Sequence, residues 1–370
     1  MKRIVALLGV TLALSACGEE AERYDFDLPA NFPEPRVPDD NPMSDAKVEL
    51  GRHLFYDVRL SGNETQSCGS CHEQRLAFTE GLGQAEGSTG EIHPRGSMSL
   101  VNVAYAASLT WANPVVRHLE EQALVPMFGE EPVELGLVSQ EQLLERLRDE
   151  PLYGPMFQDA WPDDAAPITL EHVTDAIASF QRTLISGNSS YDRYAMGNES
   201  AISDSAKRGA ELFFSEDAEC FHCHGGFTFS NAVDHANNVF DQATFQNNGL
   251  YNLDGRGAYP AENQGLFEFT SMPEDIGAFK PPTLRNIALT APYMHDGSLA
   301  TLDDVIAMYA AGGHVIESGP RAGDGRTNPN KSIFVNGFDL TPERAADLRA
   351  FLESLTDEEF ISDPRFADPW

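Results

Sequence analysis

Two copies of one five-residue pattern restrict this chain more than any other feature. Cys68-Gly69-Ser70-Cys71-His72 and Cys220-Phe221-His222-Cys223-His224 each set two thiols one helical turn apart with a histidine directly behind. Cys-x-x-Cys-His is the attachment signature of a c-type haem. The two sulfurs reach the vinyl groups on one porphyrin edge as thioethers, and the trailing imidazoles, His72 and His224, reach the iron. A redox dithiol has no use for the histidine in both copies. A four-cysteine zinc site sets its pairs roughly 15–20 residues apart, whereas these start at 68 and 220. His222 is only a middle residue of its motif and reads as an outward side chain. Two covalently bound haem c groups make this a redox protein, since ligation sets the iron potential.

The fifth cysteine, Cys17, closes a short apolar segment. Lys2 and Arg3 precede an apolar run, Ile4 to Ala13, too short for the ~20 residues that span a bilayer, and the arrangement reads as an export signal. Leu14-Ser15-Ala16-Cys17 resembles a bacterial lipobox. The resemblance implies a signal peptide over 1–16, a lipid on Cys17 and a lipoprotein on the periplasmic side of the membrane, with Gly18 pointing to the outer one. Residues 17–44, with Pro29, Pro33, Pro35, Pro38 and Pro42, read as a tether. The chain has 25 Lys+Arg against 58 Asp+Glu, a net charge of −33. Such a surface repels phosphates and anionic lipid heads, which argues against nucleic acid and leaves the lipid as the membrane contact.

Helical patterning begins at Asp45 and runs through Gly51-Arg52-His53-Leu54-Phe55-Tyr56. Gly209-x-x-Leu212-Phe213-Phe214 repeats part of that string ahead of the second cysteine motif, which favours two related domains over chance. Between them Ser139 caps Gln140–Arg148, with Gln142 placed as in a capping box. Thr169 caps a helix carrying Leu170, Val173, Ile177, Phe180 and Leu184 on one stripe. Residues 187–202 read as a junction. Thr301 with Asp304 opens a helix that Gly312-Gly313 stops, and Thr341-Pro342 opens the last one. The fold class is all-α, two cytochrome-c-like haem domains with long loops: 45–198 and 199–370.

From about Asp45 to Asp357 the chain resembles the bacterial di-haem cytochrome c peroxidase/MauG superfamily. The resemblance is carried by Leu-Gly-Arg-His-Leu-Phe-Tyr-Asp (50–57), Ser-Leu-Val-Asn-Val-Ala-Tyr (99–105), Glu-Gln-Ala-Leu-Val-Pro (121–126), Pro-Val-Glu-Leu (132–135) and both cysteine motifs. Its strongest piece is Pro-Pro-Thr-Leu-Arg-Asn-Ile-Ala-Leu-Thr-Ala-Pro-Tyr-Met-His-Asp-Gly-Ser (281–298). It implies an N-terminal haem that reacts with hydrogen peroxide and a C-terminal electron-transfer haem. In the family's peroxidases a methionine fourteen residues after the histidine of Pro-Tyr-x-His-Asp-Gly ligates the second haem; here that place, counted from His295, is Tyr309, as in the MauG/MbnH-like enzymes. A thioether favours reduced iron, whereas an anionic phenolate favours the higher oxidation states. Two other readings of the helix stand beside this one: Tyr309 as core beneath Val305, or Met308 as the ligand after a one-residue change of register.

The resemblance also implies that Gln122, Pro126 and Glu134 shape the pocket of the first haem. Glu134 would move a proton between the peroxide oxygens, and Trp111 would relay electrons between the haems. Read alone, Glu134 is a surface acid and Trp111 a half-buried indole. His93 reads as a loop histidine beside an open iron, or as a resting ligand. Calcium held by the carbonyls of Thr290 and Pro292 is implied too, though its asparagine position is Gly96. Three functions follow: oxidation of a residue, such as a tryptophan, of a periplasmic partner protein; a cytochrome c peroxidase fed by a small cytochrome or cupredoxin; or a non-enzymatic di-haem electron carrier.

Overall fold

Hydroxyl side chains that accept a backbone N–H set the starts of the main helices, because each satisfies an amide that the first turn leaves unpaired. In the computed structural model, which describes residues 24–239 and 243–370, Ser44 caps α1 (Asp45–Tyr56). The first motif forms α2 (Cys68–Cys71), followed by α3 (Leu119–Phe128). Ser139 caps α4 (Gln140–Asp149), accepting from the Gln142 amide without a reciprocal bond from its side chain. After α5 (Tyr153–Ala160), Thr169 caps α6 (Leu170–Arg182), which ends two residues short of its apolar stripe, with Leu184 buried beyond the cap. A Ser189–Asp192 capping box opens α7 (Ser190–Ala195) inside the stretch read as a junction. Ser203 caps α8 (Asp204–Phe213). The second motif forms α9 (Phe221–His224), and α10 (Phe267–Thr270) follows. The Thr301–Asp304 box opens α11 (Leu302–Ala310), which ends at Gly312 and Gly313 with φ of 78° and 137°, angles that only glycine adopts cheaply. Thr341 and Pro342 open α12 (Pro342–Glu353). The one sheet among the described residues is an antiparallel ribbon, β1 (Val315–Ile316) with β2 (Gly323–Asp324). The architecture is thus mostly helical with long loops, and no described helix is long and apolar enough to cross a membrane.

α1 packs on α6 and α8 on α12, and both crossings are made at a glycine. A Cβ on Gly51 would stand 1.8 Å from the Ala176 carbonyl oxygen and 2.9 Å from the Phe180 Cβ; on Gly209 it would stand 1.9 Å from the Asp347 carbonyl oxygen and 2.9 Å from the Phe351 Cβ. One turn on, Phe55 meets Phe180 at 5.3 Å and Phe213 meets Phe351 at 5.0 Å between ring centres. The duplication extends beyond the strings read from sequence. Ser99 Oγ donates to the Ala77 carbonyl and Thr283 Oγ1 to the Thr228 carbonyl. Three residues further, Asn102 and Asn286 both take left-handed backbone, φ 58° and 60°. Their amides bond the carbonyls of Leu184 and Leu355, just past the ends of α6 and α12. Two copies of one helical unit account for this correspondence.

Each unit has its own apolar core. Leu50, Leu54, Phe55, Phe78, Val173, Ile177 and Phe180 lie in the first; Phe213, Phe229, Ile306, Leu348 and Phe351 lie in the second. The chain does not divide between them at one point. Phe360 and Phe366 return to the first core, while Trp111 and Ala112 join the second. The expected signal peptide and Cys17 lie outside the described residues. The described part of the expected tether lies against the body instead of running free. Phe32 packs edge-on against Tyr105 and Phe227, at 6.0 and 4.8 Å, with the Arg285 guanidinium over its ring. Tyr105 donates to the Pro33 carbonyl, and Arg36 pairs with Asp234. The reason is Phe32: one well-placed aromatic buries enough apolar surface to offset the ordering of a stretch that its prolines have already stiffened.

Candidate active site

The first motif is shaped by what it packs on. A Cβ at Gly69 would fall 2.3 Å from the Tyr56 ring, so the middle of this motif admits no larger residue without moving that ring. His72 Nδ1 bonds the Phe78 carbonyl at 2.8 Å, and the Met98 carbonyl also stabilises the ring. This fixes the imidazole and leaves Nε2 as the nitrogen available to a ligand-binding role. The second motif repeats the device: His224 Nδ1 bonds the Phe229 carbonyl at 3.2 Å, with the Pro282 carbonyl in the place of Met98. Burial holds both histidines below the ordinary imidazole pKa, His224 at about 4. The four cysteines are free, and burial pushes Cys68, Cys71 and Cys220 up to about 12 and Cys223 to about 11. Reactive dithiols depress a thiol pKa, so this environment opposes the redox-dithiol reading. His222 does not point freely outward: it stacks on Phe334 at 4.0 Å and approaches Glu219 at 2.6 Å.

Glu134 sits near the first motif on a segment tied to α3 by two bonds, from the Leu135 amide to the Pro126 carbonyl and from Leu137 to Met127. Gln122 and Pro126, one turn apart on α3, are half-buried. Glu134 lies close enough for its charge to be felt at Cys68 and Cys71. Burial raises its pKa, and the Glu80 carboxylate adds to the rise. His93 lies in a loop, yet its Nε2 stands 3.8 Å from Glu134 Oε1. The Arg95 amide donates to His93 Nδ1 at 3.2 Å, so the neutral ring carries its proton on the nitrogen facing Glu134.

The second motif opens on a cavity of about 190 Å³, partly open to solvent, lined by Cys220, Cys223, His224, Tyr309, Met294, His295 and Trp111 among others. Tyr309 feels the charges of both cysteines and bonds the Asn248 side chain, while burial raises its pKa. Met308 is buried in the core and is not among the cavity-lining residues. A different sulfur is: Met294, whose Sδ accepts from Asn248 Nδ2 at 3.3 Å. Neither Asn248 nor Met294 was expected, and only the fixed offset between Met294 and His295 in sequence could have drawn attention to the latter. His295 is buried and stacks on Phe279 at 3.8 Å, and its Nε2 has no hydrogen-bond partner.

Trp111 connects the two regions. Its ring lies edge-on to His295 at 6.5 Å, and Nε1 donates to the Gly96 carbonyl at 2.8 Å. Gly96 lies between His93 and the Met98 carbonyl that stabilises His72. Thr290 and Pro292 are half-buried, and Gly96 brings them no side-chain oxygen. Among the described residues, the cluster of acidic and histidine side chains that comes close enough to share a metal is Glu216, Glu219 and His222, away from that place.

Fold and site together define a class: a duplicated helical oxidoreductase with two haem-attachment motifs, one beside a half-buried acid and one beside a half-buried phenol. The chain belongs to the di-haem cytochrome c peroxidase/MauG family. A profile of the di-haem cytochrome c peroxidase family matches residues 45–200. Methylamine utilization protein MauG of Methylorubrum extorquens is 34% identical over 333 residues, 90% of this chain and 84% of that protein. Cytochrome c551 peroxidase of Pseudomonas aeruginosa is 31% identical over 86% of this chain and 81% of its own. Among solved structures, a MauG-like protein associated with microbial copper homeostasis superposes with a TM-score of 0.92 at 49% identity, covering 94% of this chain and 99% of that one.

The residues present suit the two haem c groups that membership implies. Each motif offers two protonated thiols and an imidazole locked through Nδ1. The second adds a largely apolar cavity, with an unpartnered His295 Nε2 in its wall.

Proposed function

We propose that this protein is a lipid-anchored, periplasm-facing enzyme that uses hydrogen peroxide to oxidise a residue, such as tryptophan, of a partner protein. Cys68, Cys71 and His72 hold the first haem; Cys220, Cys223, His224 and Tyr309 hold the second. When bound, the haems supply a peroxide-accepting iron and a reservoir of oxidising equivalents. The peroxide gains two electrons and two protons and leaves as two waters, and the partner residue loses the two electrons. Glu134 takes the first proton from peroxide and returns it to the departing oxygen. His93, with its N–H towards Glu134, steadies that carboxylate, and Gln122 and Pro126 bound the pocket. Trp111 carries electron transfer between the halves.

The observation that carries this reading is the Tyr309 phenol in the same cavity as His224, with Met308 turned into the core. A hard oxygen donor suits iron that must stay oxidised. The 49% identity to a MauG-like protein associated with copper homeostasis supports a search for the partner among copper-handling proteins. Met294 Sδ in the same cavity favours the second reading, a peroxidase reduced by a small cytochrome or cupredoxin. Stoichiometric peroxide added to the diferric protein separates them by visible, near-infrared and Mössbauer spectra. The proposal expects a long-lived state two electrons above diferric, lost in Tyr309→Phe with both haems still attached. Reaction only after partial reduction supports the peroxidase, and no reaction supports a plain electron carrier.

A further inference from the structure

Lys280 precedes the Pro-Pro-Thr-Leu-Arg-Asn string, and its residue is 7% exposed. Its backbone N–H bonds the Trp111 carbonyl at 2.8 Å. Its Nζ donates to the Ser108 carbonyl, a neutral acceptor. The residue is among those lining the cavity that holds Cys220, Cys223 and His224. An ammonium taken out of water keeps its charge only beside an anion. The other buried bases meet this condition within the protein: Arg285 pairs with Asp192 and Arg182 with Glu120, and the charge of Asp175 acts on Lys47. Among the described residues Lys280 makes no ion pair. Burial is the sole influence on its pKa, pulling it down to about 7, so no nearby carboxylate offsets the desolvation. In the same cavity wall, His295 Nε2 is a buried nitrogen with no hydrogen-bond partner at all. What this corner of the cavity lacks is a carboxylate, and a haem carries two.

We propose that Lys280 is the counter-ion of a propionate on the haem attached at Cys220 and Cys223. It is a positioning residue that ties that propionate beside Trp111 and favours the reduced form of that haem. The proposal rests on haem attachment at the second motif and is independent of whether Tyr309 ligates the iron. A fixed cation in a low-dielectric pocket stabilises added negative charge, so its removal makes the haem harder to reduce.

The test is spectroelectrochemical titration of the di-haem protein, with each haem followed at its own band, for wild type, Lys280→Met and Lys280→Arg. In Lys280→Met the second haem's oxidised-to-reduced ratio at a fixed potential should rise about tenfold, a 59 mV lower midpoint for a one-electron couple. The first haem should move less, and Lys280→Arg should restore the wild-type value. An unchanged midpoint in Lys280→Met, or an equal shift in Lys280→Arg, overturns the proposal. If Lys280→Met does not retain haem, a crystal structure of the wild-type holoprotein decides. Nζ within hydrogen-bonding distance of a propionate oxygen supports the assignment, and Nζ bonded to Ser108 alone overturns it. Loss of the Tyr309-dependent oxidised state with an intact Lys280 effect would count against the ligand assignment and leave this one standing.

Discussion

Gly209→Ala should destabilise the protein by about 2 kcal/mol, although alanine is the better helix former. In α8 the substitution gains about 1 kcal/mol of helix propensity. Against that, the new Cβ would stand 1.9 Å from the Asp347 carbonyl oxygen and 2.9 Å from the Phe351 Cβ, where ordinary contact starts at 3.4 Å. The obstacle is backbone on the facing helix, so relief requires α8 and α12 to part by about 1.5 Å in a close-packed core. Overpacking of that kind costs about 3 kcal/mol at the upper end of its usual range, which leaves the net figure above and lowers the folding constant about 30-fold. Urea unfolding of the holoprotein measures it as a lowered midpoint at unchanged slope. α8 runs into the second motif, so the second haem's absorbance should change while the first holds; Gly51→Ala should do the converse. Gly154 in α5 is the control: a Cβ there meets nothing within 4 Å, so Gly154→Ala should be neutral or gain about 0.5 kcal/mol. A Gly209→Ala variant as stable as wild type, or a Gly154→Ala variant destabilised as much, would refute the argument from close helix approach.

Glu134→Gln should slow the stopped-flow reaction with peroxide by roughly 10²–10⁴-fold, and a loss under tenfold would remove Glu134 as the proton carrier. The base form is the carboxylate, and its pKa is raised. Activity should therefore be full above that raised pKa and fall as pH drops through it, at a midpoint above the ordinary glutamate value; Glu80→Gln should move the midpoint down, because one source of the rise is the Glu80 charge. Trp111→Phe should leave the first haem's reaction with peroxide intact and delay the change at the second, read by rapid mixing at two wavelengths; simultaneous changes would place the electron route elsewhere. Because Gly96 supplies no side-chain oxygen beside Thr290 and Pro292, chelation of divalent ions should leave both haem spectra unchanged, and a chelator-induced change at the second haem would restore calcium to the account.

Side-chain identity at fixed spacing is what the sequence made legible. The two cysteine motifs, the caps at Ser139, Thr169, Thr301 and Thr341, and the Gly-x-x-Leu-Phe repeat all depend on which residue stands at which offset. The structure carries helices that start at those caps. The groups that orient the two histidines were not legible, because they are carbonyls, of Phe78 and Phe229, presented by left-handed residues with φ of 58° and 51°; any side chain can stand on a carbonyl. Neither was the full repeat, since Ser99 and Thr283, or Asn102 and Asn286, act alike through backbone acceptors far along the chain. Lys280 donates to Ser108 across 172 positions, and Asn248 reaches both Tyr309 and Met294, contacts no local pattern encodes. The seat of Phe32 was not legible for a related reason: the prolines around it were visible, but the pocket that receives it is built from Tyr105, Phe227 and Arg285, three separate parts of the chain.

The central claim is that a phenol oxygen, and not a sulfur, faces the second haem. Resonance Raman spectroscopy of the diferric holoprotein, grown with ordinary and with ring-deuterated tyrosine, tests it most directly. Tyrosinate ring modes that are enhanced with the second haem, shift on deuteration and vanish in Tyr309→Phe are the predicted result. A near-infrared sulfur-to-iron band, insensitive to the tyrosine label and lost in Met294→Leu, would contradict it.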